Sequence, residues 1–593
     1  MERDFLNVAR SVTGRRWEAR LKDTRLAEAI SQRHDLPDIL GRVLAARGVA
    51  LDEVESYLNP TLRTLMPQPS ALLDMEKGAG RLADAIVRGE KIGIISDYDV
   101  DGVSSAALLT HFLEAVGSAA TVHIPDRMTE GYGPSAGAVS QLHQQGTELL
   151  VTLDCGVMAH DPLAHAAELG LATLIVDHHL ASETLPRADA VINPNRQDDL
   201  SGLGYLCAAG VTMVLVAATN RILRSRGWYN ESRPEPNPLR WLELVALATV
   251  CDVVPLKGLN RAYVTQGLKV MARRENLGLA ALADMARLKR SPDPYALGFL
   301  LGPRLNAAGR VGSAMLALGL LRAKDRGEAM AMAQELERLN RERQEVEFAV
   351  VDQAANQAEL SLGREGRQKV IVVAGEGWHP GVVGLAAARL KERFGLPSFV
   401  LAQAKGATTA SGSGRSITGV DIGTAVRAAL DLGLIAKGGG HAMAAGLTVE
   451  VARLGKLRSF LEERLSPQVE AAADRGLAID AALTAGGANL ELIELLDQAG
   501  PYGAGNPAPI FALPAHRIAY ADKAGNDHIR CTLVADDGSR IKAIAFRAFG
   551  TELGEFLMSE RKLPAHVAGR LTVDDWNGGR SASLHIVDAA PVS

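Results

Sequence analysis

The chain is poor in cysteine, with four in 593 residues: Cys155, Cys207, Cys251 and Cys531. No two stand as C-x-x-C, which speaks against a disulfide scaffold, a thiolate zinc site and a redox dithiol. Long apolar runs are also missing. One of the longest, Cys207 to Thr219, falls well short of the ~20 residues that span a bilayer. The opening MERDFLNVAR carries charges where a signal peptide needs an apolar stretch. Neither charge sign dominates: 64 Lys and Arg face 69 Asp and Glu, a net −5, which excludes a globally basic coat and leaves room for a local basic track. No G-x-x-x-x-G-K-[ST] occurs, so an ATP motor is unsupported. Gly375-Glu376-Gly377 lacks dinucleotide-fold spacing, because the next glycines fall at 381 and 384. Gly133-Pro-Ser-Ala-Gly137 spells a nucleophile elbow but follows the polar DRMTEGY, so Ser135 is expected to cap a helix. A composition of 47% hydrophobic and 22% charged residues excludes wholesale disorder. The expectation is a reduced, soluble, cytoplasmic protein of several domains, with no membrane segment.

What is present is an ordered change of texture. Residues 1–80 read as a mostly helical N-terminal segment packed on the core, broken at Asn59-Pro60 and Met66-Pro-Gln-Pro69. From Lys91, short apolar runs (KIGIIS, ELLVTLD, LATLIVD, ADAVIN) alternate with amphipathic stretches, the pattern of βαβ units and a parallel sheet. A catalytic domain is placed at 81–322, and a charged, Gly- and Pro-free run predicts one long connecting helix within 323–367. A second α/β lobe follows over 368–465, starting at KVIVVAG. Over 466–593, alternating segments such as HIRCTLVA and RIKAIAF between tight turns predict a small all-β barrel. The fold class is therefore α/β: two lobes joined by a long helix, plus a C-terminal barrel.

The informative feature is where the acids sit. Asp97, Asp99 and Asp101 follow the strand KIGIIS; Asp154 ends the next strand; Asp177, His178 and His179 end the third. Spacings of two place the first three side chains on one side if the chain stays extended there. Open parallel sheets bind ligands beyond the carboxyl ends of their strands, so five carboxylates and two imidazoles converge on one edge. Asp252, after an apolar helix end, is a further candidate. Crowded anions are costly unless cations neutralise them. Oxygen-rich ligation with an imidazole suits Mn²⁺ or Mg²⁺, and two such ions roughly 3.5–4 Å apart form a clamp for displacement at phosphorus. A lone Asp at a strand end is most simply a cap. The set as a whole is not, since capping needs neither paired histidines nor three alternating acids.

SDYDVDG, LDCG, VDHH and CDVVP, in that order, resemble the successive motifs of the DHH phosphoesterase superfamily. RLNAAGR (304–310), GEGWHPGVVG (375–384), SGRS (413–416), GGGHAMAAG (438–446) and PYGAGNPAPIF (501–511) are similar to its RecJ branch, over nearly the whole chain. The resemblance implies a DHH domain, a DHH-associated domain and an OB-fold barrel. It implies one manganese site from Asp97, Asp99 and Asp154 and a second from Asp101, Asp154, His178 and Asp252, with Asp154 bridging and His179 facing the scissile phosphate. Ser96 replaces a glycine common in relatives, with an effect expected on the turn more than on the ligands. The activity implied is a 5′→3′ single-stranded-DNA exonuclease releasing 5′ mononucleotides, acting in recombination and repair. Single-strand binding protein and a RecQ-type helicase are the implied partners, and the implied state is monomeric. The alternative is a DHH phosphodiesterase acting on short oligonucleotides or cyclic dinucleotides. A third reading, a non-catalytic scaffold, conflicts with the intact acids.

Arg304, Asn306, Arg310, His179 and His441 are the candidate donors for transition-state charge. By the same resemblance, Ser413 and Arg415 recognise the 5′ end and the glycine turn brings His441 to the phosphate; read alone, these segments are a surface loop and a structural turn. Six basic residues against two acids between Leu385 and Arg427 suggest a backbone track. The barrel's Tyr520, Phe546, Phe549 and Trp576 suit base stacking but are more simply core, so none is assigned to DNA.

Overall fold

The computed structural model describes residues 4–127, 129–365, 368–473, 476–559, 563–574 and 579–592; Trp576 lies outside them. Two compact units divide the chain. One comprises 60–469 with 503–505, and the other 1–59, 470–502 and 506–593.

The first unit is built on a five-stranded sheet: β1 (Ile92–Ser96), β2 (Ala120–His123), β3 (Leu149–Leu153), β4 (Ala172–Val176) and β5 (Ala190–Ile192). All its pairings are parallel, in the order β2-β1-β3-β4-β5. β1 and β3 are buried at every position, which is why their sequences are unbroken apolar runs without alternation. Strand order reverses between β1 and β3, and the crevice at such a reversal is where open α/β sheets bind ligands. Helix α1 (Val100–Ala115) leaves β1 directly, while α2 (Ala208–Ser225) and α3 (Leu242–Cys251) pack beside it in the same core.

A helical run ends in α4 (Gly302–Val311); after a short helix at Ala314–Leu321 comes α5, 40 residues from Arg326 to Glu365 and roughly 60 Å long at 1.5 Å per residue. The second lobe follows: β6 (Ile371–Glu376), β7 (Ser398–Gln403), β8 (Thr409–Arg415), β9 (Lys437–His441) and β10 (Ala444–Glu450), in the order β9-β10-β8-β7-β6. Only β6 and β7 pair in parallel; the remaining pairings are antiparallel. Helix α6 (Val383–Phe394) packs on this sheet.

In the other unit, β11 (Phe511–Ala524), β12 (His528–Val534), β13 (Arg540–Ala545), β14 (Pro564–Asp574) and β15 (Ser581–Pro591) close into a barrel through the pairing of β11 with β14. Residues 1–59 belong to this unit, whereas 60–80 belong to the first. Trp17–Ala19 pairs in parallel with Leu477–Ile479, and the helices Arg25–His34 and Asp38–Ala46 bury Ile30, Leu40 and Leu44 against Leu496 and Phe511. Among the described residues, no helix is long and apolar enough to cross a membrane.

Candidate active site

The SDYDVDG segment does not stay extended. Asp97 follows β1, Asp99 caps α1 by accepting from the amides of Asp101 (2.9 Å) and Gly102 (3.2 Å), and Asp101 lies in the first helical turn. Capping satisfies amides that the helix start leaves unpaired. The turn is tight: a Cβ on Gly102 would stand 2.4 Å from the Asp97 carbonyl, and the buried Ser96 hydroxyl donates to the Gly102 carbonyl at 2.6 Å. Asp101 points elsewhere, accepting from the amides of Ala208 and Ala209 at the start of α2 (2.7 and 2.8 Å). The acids therefore meet through a strand–cap–helix path.

Asp154 follows β3 with a left-handed φ of 60°, a conformation that costs energy for a residue bearing a side chain. Asp252 caps the end of α3. His178 Nε2 lies 3.2 Å from Asp154, 3.6 Å from Asp252 and 3.7 Å from Asp101. Ligand atoms of Asp97, Asp99 and Asp154 fall within 4.8 Å of one another, as do those of Asp101, His178 and Asp252, and those of Asp154, His178 and His179. Asp97 Oδ1, Asp154 Oδ1, His178 Nε2 and Asp252 Oδ2 are buried and make no hydrogen bond among the described residues. Burial, reinforced by the neighbouring acids, pushes Asp97, Asp154 and Asp252 well above the usual carboxylate range. Burial likewise raises Asp101 and lowers His178. Orphaned, hard oxygen donors around one imidazole fit Mn²⁺ or Mg²⁺.

The second imidazole behaves differently. Burial raises the Asp177 carboxyl, but its 2.8 Å hydrogen bond with His179 Nδ1 and the Val157 and His179 amides outweigh that and hold it at about 2. For His179, burial opposes the charge while Asp177 and nearby acids lift its pKa to about 9. The pair is an ion pair, and the His179 side chain remains 46% exposed. Asn193 and Asn195 donate to the His179 and His178 carbonyls (2.8 and 2.5 Å), fixing the backbone of the dipeptide.

Two residues not anticipated from sequence complete this edge, both in the loop after β2. Arg127 stacks over the Tyr98 ring at 4.7 Å and lies close enough to Asp97, Arg310 and Arg415 to perturb each. Tyr132 donates to the Asp154 carbonyl (3.0 Å) and sits 3.3 Å from His179 Nδ1. Their place follows from the pairing of β2 with β1, which brings the residues after β2 to the same sheet edge. Ser135 caps the following helix, accepting from the Ala138 amide.

Arg310 donates to the Gly381 carbonyl (2.9 Å) in the second lobe, and burial beside Arg127, Arg343 and Arg415 depresses its pKa to about 10. Ser413 and Arg415 lie on β8, where both face the backbone of Gly384. His441 stands at the end of β9, and burial together with the charges of Arg415 and His179 lowers its pKa. Asn306 is half-buried on α4. Arg304 does not join this cluster: Glu337 of α5 holds it at 2.7 Å and it donates to the Leu300 carbonyl. The expected basic track is partly neutralised, since Arg389 and Arg393 pair with Glu347 and Glu359 of α5.

Family models match three stretches: the DHH family N-terminal domain (residues 91–249), the DHHA1 domain (367–466) and the RecJ OB domain (479–588). The chain is 35% identical to the single-stranded-DNA-specific exonuclease RecJ of Salmonella typhimurium, covering 94% of this chain and 96% of the relative. It is 30% identical to the Bacillus subtilis protein of the same name, covering 97% and 71%. A crystal structure of Thermus thermophilus RecJ in complex with Mn²⁺ superposes with a TM-score of 0.77 at 29% identity, covering 96% of this chain and 78% of that one.

Proposed function

The chain belongs to the RecJ family, and on that premise we propose that it is a single-stranded-DNA-specific exonuclease, a metal-dependent phosphodiesterase working 5′→3′ and releasing 5′ mononucleotides. The observation that carries this reading is the juxtaposition of a buried acid cluster with a cationic one: Asp97, Asp101, Asp154 and Asp252 on one side, Arg127, Arg310 and Arg415 on the other. Asp97, Asp99 and Asp154 would hold one Mn²⁺ or Mg²⁺, and Asp101, Asp154, His178 and Asp252 a second. When bound, such cations supply Lewis-acid chemistry at phosphorus and neutralise charge on its oxygens.

The chain's own groups do the rest. With Nδ1 tied to Asp177, the His179 imidazolium has Nε2–H free to donate to a phosphoryl oxygen as negative charge develops there. Tyr132, touching both Asp154 and His179, fixes their spacing. Arg127, Arg415 and Ser413 would grip a terminal 5′ phosphate, setting the register one nucleotide from the end, with His441 closing from the second lobe and Arg310 from α4. The division into a catalytic domain (81–322), connecting helix (323–367), substrate-binding domain (368–465) and barrel (466–593) belongs to the same proposal. So do a cytoplasmic, monomeric protein, a role in recombination and repair, and single-strand binding protein and a RecQ-type helicase as partners.

The test is a manganese-dependent digestion of one long single strand labelled at either end in separate reactions, with a blunt duplex as control. Rapid release of a mononucleotide from the 5′ label, with the duplex spared, is the expected result. A surviving strand alongside hydrolysed di- or trinucleotides would transfer the function to small substrates.

A further inference from the structure

Between Pro294 and Val311 the chain winds as one helical run: a π turn over Ala296–Leu301 continues through right-handed dihedrals at Leu301 and Gly302 into α4. Its inner face is seated on the end of α3. The Cys251 thiol donates to the Leu297 carbonyl (3.5 Å), and a Cβ on Gly302 would stand 2.4 Å from that sulfur, so only glycine lets the run approach so closely. The residue after Cys251 is Asp252 of the acid cluster.

On this run Tyr295, Phe299, Asn306 and Arg310 recur at intervals of four, seven and four, the spacing of one helical face. The face ends at Arg310 among the site's guanidinium groups. At its other end, Tyr295 and Phe299 are 57% and 68% exposed, with their rings stacked at 4.9 Å and 22° between planes. Two large aromatics stacked on each other and turned to solvent on an otherwise well-buried helix add little to the core. Just before them, Arg287, Lys289 and Arg290 are exposed; Arg290 pairs with Asp293 at 3.5 Å, a solvent-exposed contact that a phosphate can replace.

We propose that this face is the track on which the strand beyond the scissile bond lies, with Tyr295 and Phe299 as a base-stacking platform and Lys289 and Arg290 meeting its phosphates. The proposal rests on the exonuclease reading above. Flat π-faces beside cations are what sequence-tolerant single-strand binding uses. Phe299 and Arg310 are 11 residues apart, or about 16 Å along a helix, on the order of five stacked nucleotides. The platform therefore serves long strands and lies out of reach of a dinucleotide.

The test uses the full-length, manganese-loaded protein and the double variant Tyr295→Ala/Phe299→Ala, assayed on a long oligothymidylate and on a thymidine dinucleotide. The expected result is a rise in KM on the order of tenfold for the long strand, with dinucleotide kcat/KM unchanged. Tyr295→Trp/Phe299→Trp should keep the wild-type KM. An unchanged long-strand KM in the alanine variant overturns the platform alone, as does an equal loss on both substrates. A wild-type protein that cleaves the dinucleotide but leaves the long strand intact overturns the exonuclease reading and the track with it.

Discussion

Replacing Asp154 with Asn should stabilise the metal-free protein while abolishing turnover. Asp154 is buried, and its carboxylate lies within 4.8 Å of those of Asp97 and Asp99. Two unit charges at that distance repel by roughly 3.5 kcal/mol at an effective dielectric constant of 20. Partial protonation already relieves much of this, because burial and the neighbouring acids raise the carboxyl pKa values of Asp97, Asp154 and Asp252. Loss of the 3.2 Å approach to His178 offsets part of the gain. The net expectation is about 1–2 kcal/mol, read as a rise of a few degrees in thermal melting under chelation. The sign with pH follows from linkage. Folded carboxyls with raised pKa values bind more protons than unfolded ones, so metal-free wild-type stability falls as pH rises above the unfolded carboxyl value near 4. The variant's slope should be shallower. Manganese should reverse the ranking, since a ligand at 100 times its Kd stabilises by about 2.7 kcal/mol and the variant lacks the shared carboxylate. A variant that melts below the wild type under chelation, or gains as much from manganese, would refute the reasoning.

Glu243 is buried in α3, and burial together with Glu275 lifts its pKa to about 7. Its raised folded value means stability is lost as pH rises from about 4.5 through 7, so Glu243→Gln should gain on the order of 3 kcal/mol at pH 8.5 and nothing at pH 4, by chemical denaturation. Arg127→Ala and Arg415→Ala should each raise KM for a 5′-phosphorylated strand about tenfold or more and lower the salt dependence of KM; an unchanged KM would remove them from the phosphate grip. Gly309→Ala would drive a Cβ to 2.7 Å from the Tyr98 carbonyl, so kcat should fall at least tenfold by displacement of the Asp97–Asp99 turn, with manganese affinity falling in parallel by calorimetry.

The acid cluster was legible because strand-end residues converge by topology alone: β1, β3 and β4 needed only to be parallel neighbours for Asp97, Asp154 and His178 to meet. The path taken by SDYDVDG was not, since alternation of acids fits an extended chain as well as a strand running into a helix cap. Arg127 and Tyr132 went unseen because they follow β2, whose four residues are too short and too polar to stand out. Arg304 looked like a substrate donor within RLNAAGR, yet a glutamate 33 positions away holds it, and sequence carries no trace of such pairing. That residues 1–59 join the barrel's unit is hidden for the same reason: the pairing of Trp17 with Leu477 spans most of the chain.

The most direct test of the account is manganese binding and strand digestion measured on the same samples. Electron paramagnetic resonance should titrate two manganese ions per chain, with 5′ mononucleotide release tracking occupancy, and Asp154→Asn should lose both together. Full digestion under chelation, or manganese uptake in wild type that Asp154→Asn leaves unchanged, would contradict it.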